Sequence, residues 1–199
     1  MKRIRAATFA EASDLSASWV FVDIGFASKA KSCGLLVGSG QPLEMTFSHL
    51  QSFLVCLCAE DVVPVNLVIE APLSIAFNAE GNPTGRSVEL RNGKSRYWYV
   101  GLGCSVLVAS THLMRSILEA PRGREIRLVE GLVSFKAQGV ASSHSMDVLA
   151  LREIALQRPA TRGRIIPASA LKLSSSDRLE SAFAVAGMDF GIPPVLSVE

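Results

Sequence analysis

The sequence predicts one α/β domain spanning residues 1–199, with a mixed central sheet flanked by helices: a three-strand antiparallel meander comes first and αβ units follow. Three observations predict it. Runs rich in β-branched and aromatic residues, such as Ser18 to Phe26, alternate with stretches whose apolar residues recur at helical spacing. The first three strand candidates follow one another directly, whereas later ones are preceded by helical stretches. With 199 residues, 49% hydrophobic and 19% charged, the chain can bury one sizeable core, is short for two, and is too apolar to be disordered.

After a polar N-terminal stretch, SWVFVDIGF reads as a buried strand with Asp23 near its C-terminal end. SCGLLVGSG and PLEMTF supply two further strands joined by a turn at Gly38-Ser39-Gly40. From His49 to Glu60, Leu50, Phe53, Leu54 and Leu57 mark a helix, which leads past Pro64 into the strand VNLVIEAP with Glu70 at its end. Between Leu73 and Ser95 the turn residues Asn78, Gly81, Asn82, Pro83, Gly85, Asn92 and Gly93 predict a long loop insertion. A helix from Ser95 to Ala120, a strand from Glu125 to Phe135 and a helix from Ser143 to Gln157 follow, then a short strand RIIPA and a last helix beginning near Ser176.

A net charge of +2 gives no overall field for nucleic acid or an acidic membrane surface, so any basic footprint must be local. The longest apolar run, Tyr97 to Ala109, is shorter than the ~20 residues a bilayer span needs, so no membrane partner is expected. Cys33, Cys56, Cys58 and Cys104 have neither CxxC spacing nor a histidine-rich neighbourhood and read as reduced core residues. With no apolar stretch of secretory length before Asp14, a cytoplasmic location is expected.

Catalytic groups of α/β sheets gather beyond the carboxyl ends of strands, and Asp23 and Glu70 both fall there. A buried carboxylate needs a cation or a hydrogen-bond donor. The predicted last helix would add Asp177 and Glu180, three apart and on one face. Such an oxygen-rich set suits Mg²⁺ or Mn²⁺ rather than zinc. Asp147, Arg152 and Glu153 read as ordinary helix-surface charges, and His49, His112 and His144 lie in unrelated segments that suggest no triad.

Taken in order, FVDIG, VIEAPLS, VEGLVSFK and SSDRLESAFAVAG resemble the predicted-nuclease branch of the ribonuclease H-like superfamily, a domain-of-unknown-function family, over nearly the whole chain. The resemblance implies that Asp23, Glu70 and Asp177 are the metal-binding acids, with Glu180 as a fourth, and that Glu130 and Lys136 are accessory positions. It implies two-metal hydrolysis of nucleic-acid phosphodiesters, with ions roughly 3.5–4 Å apart. Family members commonly carry Asp where this chain has Glu70 and Glu180, which shifts a bound metal by one methylene.

Arg86, Arg91, Lys94 and Arg96 in the long loop are the expected nucleic-acid contacts, Arg122, Arg124 and Arg127 form a second basic group, and Tyr97, Trp98 and Tyr99 offer stacking faces. Two other functions fit parts of the sequence. One is a non-catalytic ribonuclease H-like scaffold that exposes its loop or its apolar tail, Phe190 to Val198, to a protein partner or a second copy. The other is an actin-like or sugar-kinase nucleotide domain, which Asp23-Ile24-Gly25 resembles, although no second such motif and no P-loop accompany it.

Overall fold

Uninterrupted apolar and β-branched runs pair into sheet in this chain, and residues that repeat every third or fourth position wind into helix. The computed structural model describes residues 3–25, 31–60, 63–91, 93–95, 97–98, 100–120, 123–133, 143–158 and 163–198. In chain order these form β1 (Ile4–Ala6), α1 (Phe9–Ala12), β2 (Ser18–Ile24), β3 (Cys33–Val37), β4 (Leu43–Met45), α2 (Phe47–Ala59) and β5 (Val65–Glu70). Four short strands come next: β6 (Ser74–Phe77), β7 (Pro83–Thr84), β8 (Leu90–Arg91) and β9 (Lys94–Ser95). The remainder is α3 (Leu102–Glu119), β10 (Ile126–Leu132), α4 (His144–Ala155), β11 (Gly163–Ile166), β12 (Arg178–Ser181) and β13 (Val195–Val198).

The main sheet has eight strands in the order β11-β13-β10-β5-β2-β3-β4, with β1 also against β10. β2, β5, β10 and β13 run parallel, and β3 is antiparallel to both β2 and β4, so the meander and the αβ units expected from the sequence are both present. Side-chain alternation divides the core. Val20, Val22, Leu67, Ile69 and Leu128 face α2 and α3, while Trp19, Phe21, Val68 and Val129 face α4, which covers them with Val148, Leu151 and Ile154. Hydroxyl caps start the helices: Thr46 accepts the His49 N–H, and Ser143 accepts that of Met146.

Several expectations change. The N-terminal stretch contains β1, and residues 73–95 hold paired strands where a loop was expected. Among the described residues no helix begins near Ser176. Asp177 turns back to accept the N–H groups of Leu173 and Ser174 at 3.1 and 2.9 Å, and the next four residues pair antiparallel with β6. The alternation Arg178-Leu179-Glu180-Ser181 has the period of a strand, and an available strand partner overrides local helix propensity. Phe190, Val195 and Leu196 are buried, since β13 pairs with both β10 and β11, so this tail is core and offers no docking surface. Cys33 and Cys58 are buried as expected, whereas Cys56 and Cys104 are exposed. Among the described residues no helix is long and apolar enough to cross a membrane.

What holds the 73–95 segment down is a buried ion cluster. Arg86 is fully buried and donates to both oxygens of Glu130 at 2.8 Å, to Ser74 Oγ at 2.8 Å and to Glu89 at 3.2 Å. Glu130 also accepts the Leu73 N–H, and Glu89 the N–H groups of Arg86 and Trp98. Burial pushes the Glu130 carboxyl up, opposed by Arg86; against its own desolvation, Arg86 is held above its ordinary range by Glu130 and Glu89.

Candidate functional site

Asp23 lies one residue from the end of β2 and Glu70 closes β5, and in the parallel register of these neighbouring strands they stand directly opposite each other. Alternation from Phe21 and Val68 turns both side chains to the α4 face. Asp147 meets them there. It occupies the first turn of α4 and falls on that helix's buried stripe with Leu151 and Ile154, four and seven residues on. The result is three carboxylates from three elements, each offering one oxygen, with those atoms all within 4.8 Å of one another. Asp23 is 5%, Glu70 7% and Asp147 7% exposed, so water screens their mutual repulsion poorly.

A histidine completes the group. His144, one turn before Asp147, places Nδ1 2.6 Å from Asp23 Oδ2. Facing a carboxylate, that nitrogen is the donor. The hydrogen bond lifts the imidazole above its usual titration range against the effect of burial, and the charges of Asp23, Glu44 and Asp147 add to the rise. Glu44 of β4 accepts the N–H and hydroxyl of Ser145 at 3.3 and 3.1 Å, which ties the start of α4 to the sheet. Two glycines make room. A Cβ on Gly25 would collide with the His144 ring and lie 2.6 Å from the Ser32 carbonyl oxygen, and one on Gly34 would lie 2.6 Å from the His144 carbonyl oxygen.

The structure therefore brings together Asp23 and Glu70 from the expected set and adds Asp147 and His144. Asp177 is engaged in its turn, and Glu180 pairs with Arg178 at 2.7 Å on β12, so neither joins the triad as a shared helix would have required. Glu130 sits on β10 beside Ile69, on the opposite face of the sheet from Asp23 and Glu70, and serves the ion cluster. Lys136 and Arg96 lie outside the described residues. Arg91 and Lys94 belong to the β8–β9 pair, and nothing is described of their side chains. Arg86 cannot reach a phosphate, being fully buried.

Arg124 and Arg127 are committed to Glu60 and to Glu11 and Glu125; Arg122 lies outside the described residues. Trp98 is partly buried and packs against the small apolar cluster that contains Val88 and Leu171, Tyr97 is half exposed, and Tyr99 lies outside the described residues. A signal for Asp147 did exist: an acid in register with the apolar stripe of an amphipathic helix, three residues after a histidine. No known protein family, curated protein or solved structure matches the chain.

Proposed function

We propose that this chain is a divalent-metal-dependent phosphodiesterase of the ribonuclease H-like type, acting on nucleic acid. The observation that carries the reading is the convergence of Asp23, Glu70 and Asp147 within 4.8 Å in a largely buried setting. Carboxylates from three separate elements whose oxygens converge this closely offer a divalent cation several ligands at one point. Their donors are all hard oxygens with no thiolate among them, a set that fits Mg²⁺ or Mn²⁺. Glu70 reaches the common point in spite of its extra methylene, so its length is no obstacle to a shared ion.

When bound, such an ion supplies Lewis-acid polarisation of a phosphoryl oxygen and a water acidic enough to ionise near neutral pH. The chain's own part is placement. Asp23 and Glu70 are fixed by ladder hydrogen bonds of two central strands, and Asp147 by α4, which packs on β2 and β3. The carboxylates are ligands and not proton acceptors in this scheme. The antiparallel meander followed by αβ units, with acids at the ends of its first and fourth strands, supports the ribonuclease H-like assignment. The choice of nucleic acid as substrate rests on the sequence resemblance.

Cleavage of labelled single- and double-stranded DNA and RNA is the test, run with Mg²⁺, Mn²⁺ or EDTA and with Asp23→Asn in parallel. The proposal expects cleavage that needs metal and disappears in a folded Asp23→Asn protein. Equal cleavage by that variant, or none by the wild type on any substrate, rejects it.

A further inference from the structure

We infer that His144 is a positioning residue of the carboxylate site: its Nδ1–H holds Asp23 in the orientation that a cation requires, and Gly25 and Gly34 are small in order to seat it. The inference rests on the metal-site reading and deepens it. The 2.6 Å hydrogen bond commits one Asp23 oxygen to the imidazole and fixes the plane of the carboxylate. Without it, Asp23 would have a free torsion at the strand end.

The seating is built from several elements. Ser143 caps α4 and Glu44 anchors Ser145, so the residues on both sides of His144 are held by separate hydrogen bonds. The ring occupies the space a Cβ on Gly25 would fill, and the His144 backbone lies over Gly34. His144 retains 28% side-chain exposure, unlike the carboxylates around it, so burial of an apolar ring does not explain its placement. One helical turn joins His144 to Asp147, and the same segment thus delivers a ligand and the group that orients another ligand.

The test measures Mn²⁺ affinity by electron paramagnetic resonance in the wild type, His144→Ala, His144→Phe, His144→Asn and Gly25→Ala, with circular dichroism to verify folding. Loss of an orienting partner of this kind weakens metal binding by about 10- to 100-fold. That loss is expected in His144→Ala, in His144→Phe, which keeps volume without a donor, and in Gly25→Ala, where the new methyl displaces the ring. Asn places an amide N–H close to the Nδ1 position, so His144→Asn is expected to bind within about threefold of the wild type, on the scale of a single retained hydrogen bond.

Wild-type binding with equal affinity in folded His144→Ala overturns the inference and leaves the metal site standing. Failure of the wild type to bind Mn²⁺ overturns both. In that case the Asp23–His144 hydrogen bond would still be visible as a downfield Nδ1 proton in the nuclear magnetic resonance spectrum, and would mark a purely structural pair.

Discussion

Asp147→Asn separates a metal site from a structural cluster because only a metal site makes the stability of the wild type, and not that of the variant, depend on a divalent cation. An Asp147 oxygen lies within 4.8 Å of oxygens on both Asp23 and Glu70. Two full charges at that separation repel by roughly 3.5 kcal/mol at an effective dielectric of about 20, and by about 1 kcal/mol in a water-like medium. A divalent cation held between the three carboxylates offsets such repulsion, which ties the stability of the wild type to the ion.

Asn keeps the shape and removes a ligand charge, so the variant is expected to lose the stabilisation that Mn²⁺ gives the wild type. An ion at about 100 times its Kd stabilises the wild type by ~2.7 kcal/mol and leaves the variant nearly unmoved. For a chain of this size that raises the wild-type Tm by roughly 5–11 °C. Scanning calorimetry of both proteins in EDTA and in Mn²⁺ reads all four states. A variant that gains as much from Mn²⁺ as the wild type refutes the reasoning.

Asp177→Asn and Glu180→Gln should leave the Mn²⁺-induced rise in Tm intact, since neither residue joins the triad; a lost rise in either would restore the helix reading. In urea titrations Arg86→Met is expected to cost about 3–5 kcal/mol, because it strands Glu130 and Glu89 without a cation, and a loss under 1 kcal/mol would show the cluster to be incidental. Arg5 and Thr8 hold the Glu11 carboxyl down to about 2 from an ordinary 4.5. A depressed acid stabilises the fold fully above its unfolded value. This contribution, roughly 2 kcal/mol after allowing for partial exposure, is therefore expected to fade as pH falls from 4.5 towards 2. Glu11→Gln should be less stable than the wild type at pH 7 and converge with it at the acid end, and a constant gap across that window would contradict the linkage.

Periodicity made most of the central sheet and its helices readable, because strands buried on both faces and helices buried on one leave strong local patterns. Asp23 and Glu70 stood out as charges at the ends of apolar strands, a local anomaly. Asp147 did not. Its neighbours Arg152 and Glu153 make the segment look like a solvated helix, and only the alignment with Leu151 and Ile154 marks it as inward-facing.

The stretch from Ser176 imitates a helix for the complementary reason: serines followed by Asp177 have the composition of a helix start, while the β6 partner that decides the matter lies about a hundred residues away. Arg86 illustrates the same limit on charge reading. A basic residue in a turn-rich segment is usually solvated, and here the burial of Glu130 inside β10 reverses that rule.

β5 occupies one edge of β10 from Ile126 to Glu130, so β1 and β13 must share the other, β1 along its first half and β13 along its second. The Ala6 N–H donates to the Phe190 carbonyl at 2.6 Å and ties β1 to the segment that leads into β13. One strand about two-thirds of the way along the chain thus takes its neighbours from segments well over a hundred residues apart. During synthesis the β2–β5 half of the sheet can form while β10 lacks its outer partner, and that exposed strand edge is closed only after Val195–Val198 has been made. Completion of the fold is a late event with a high loop-closure cost, and the interval before it is when this chain is most exposed to pairing with another copy of itself.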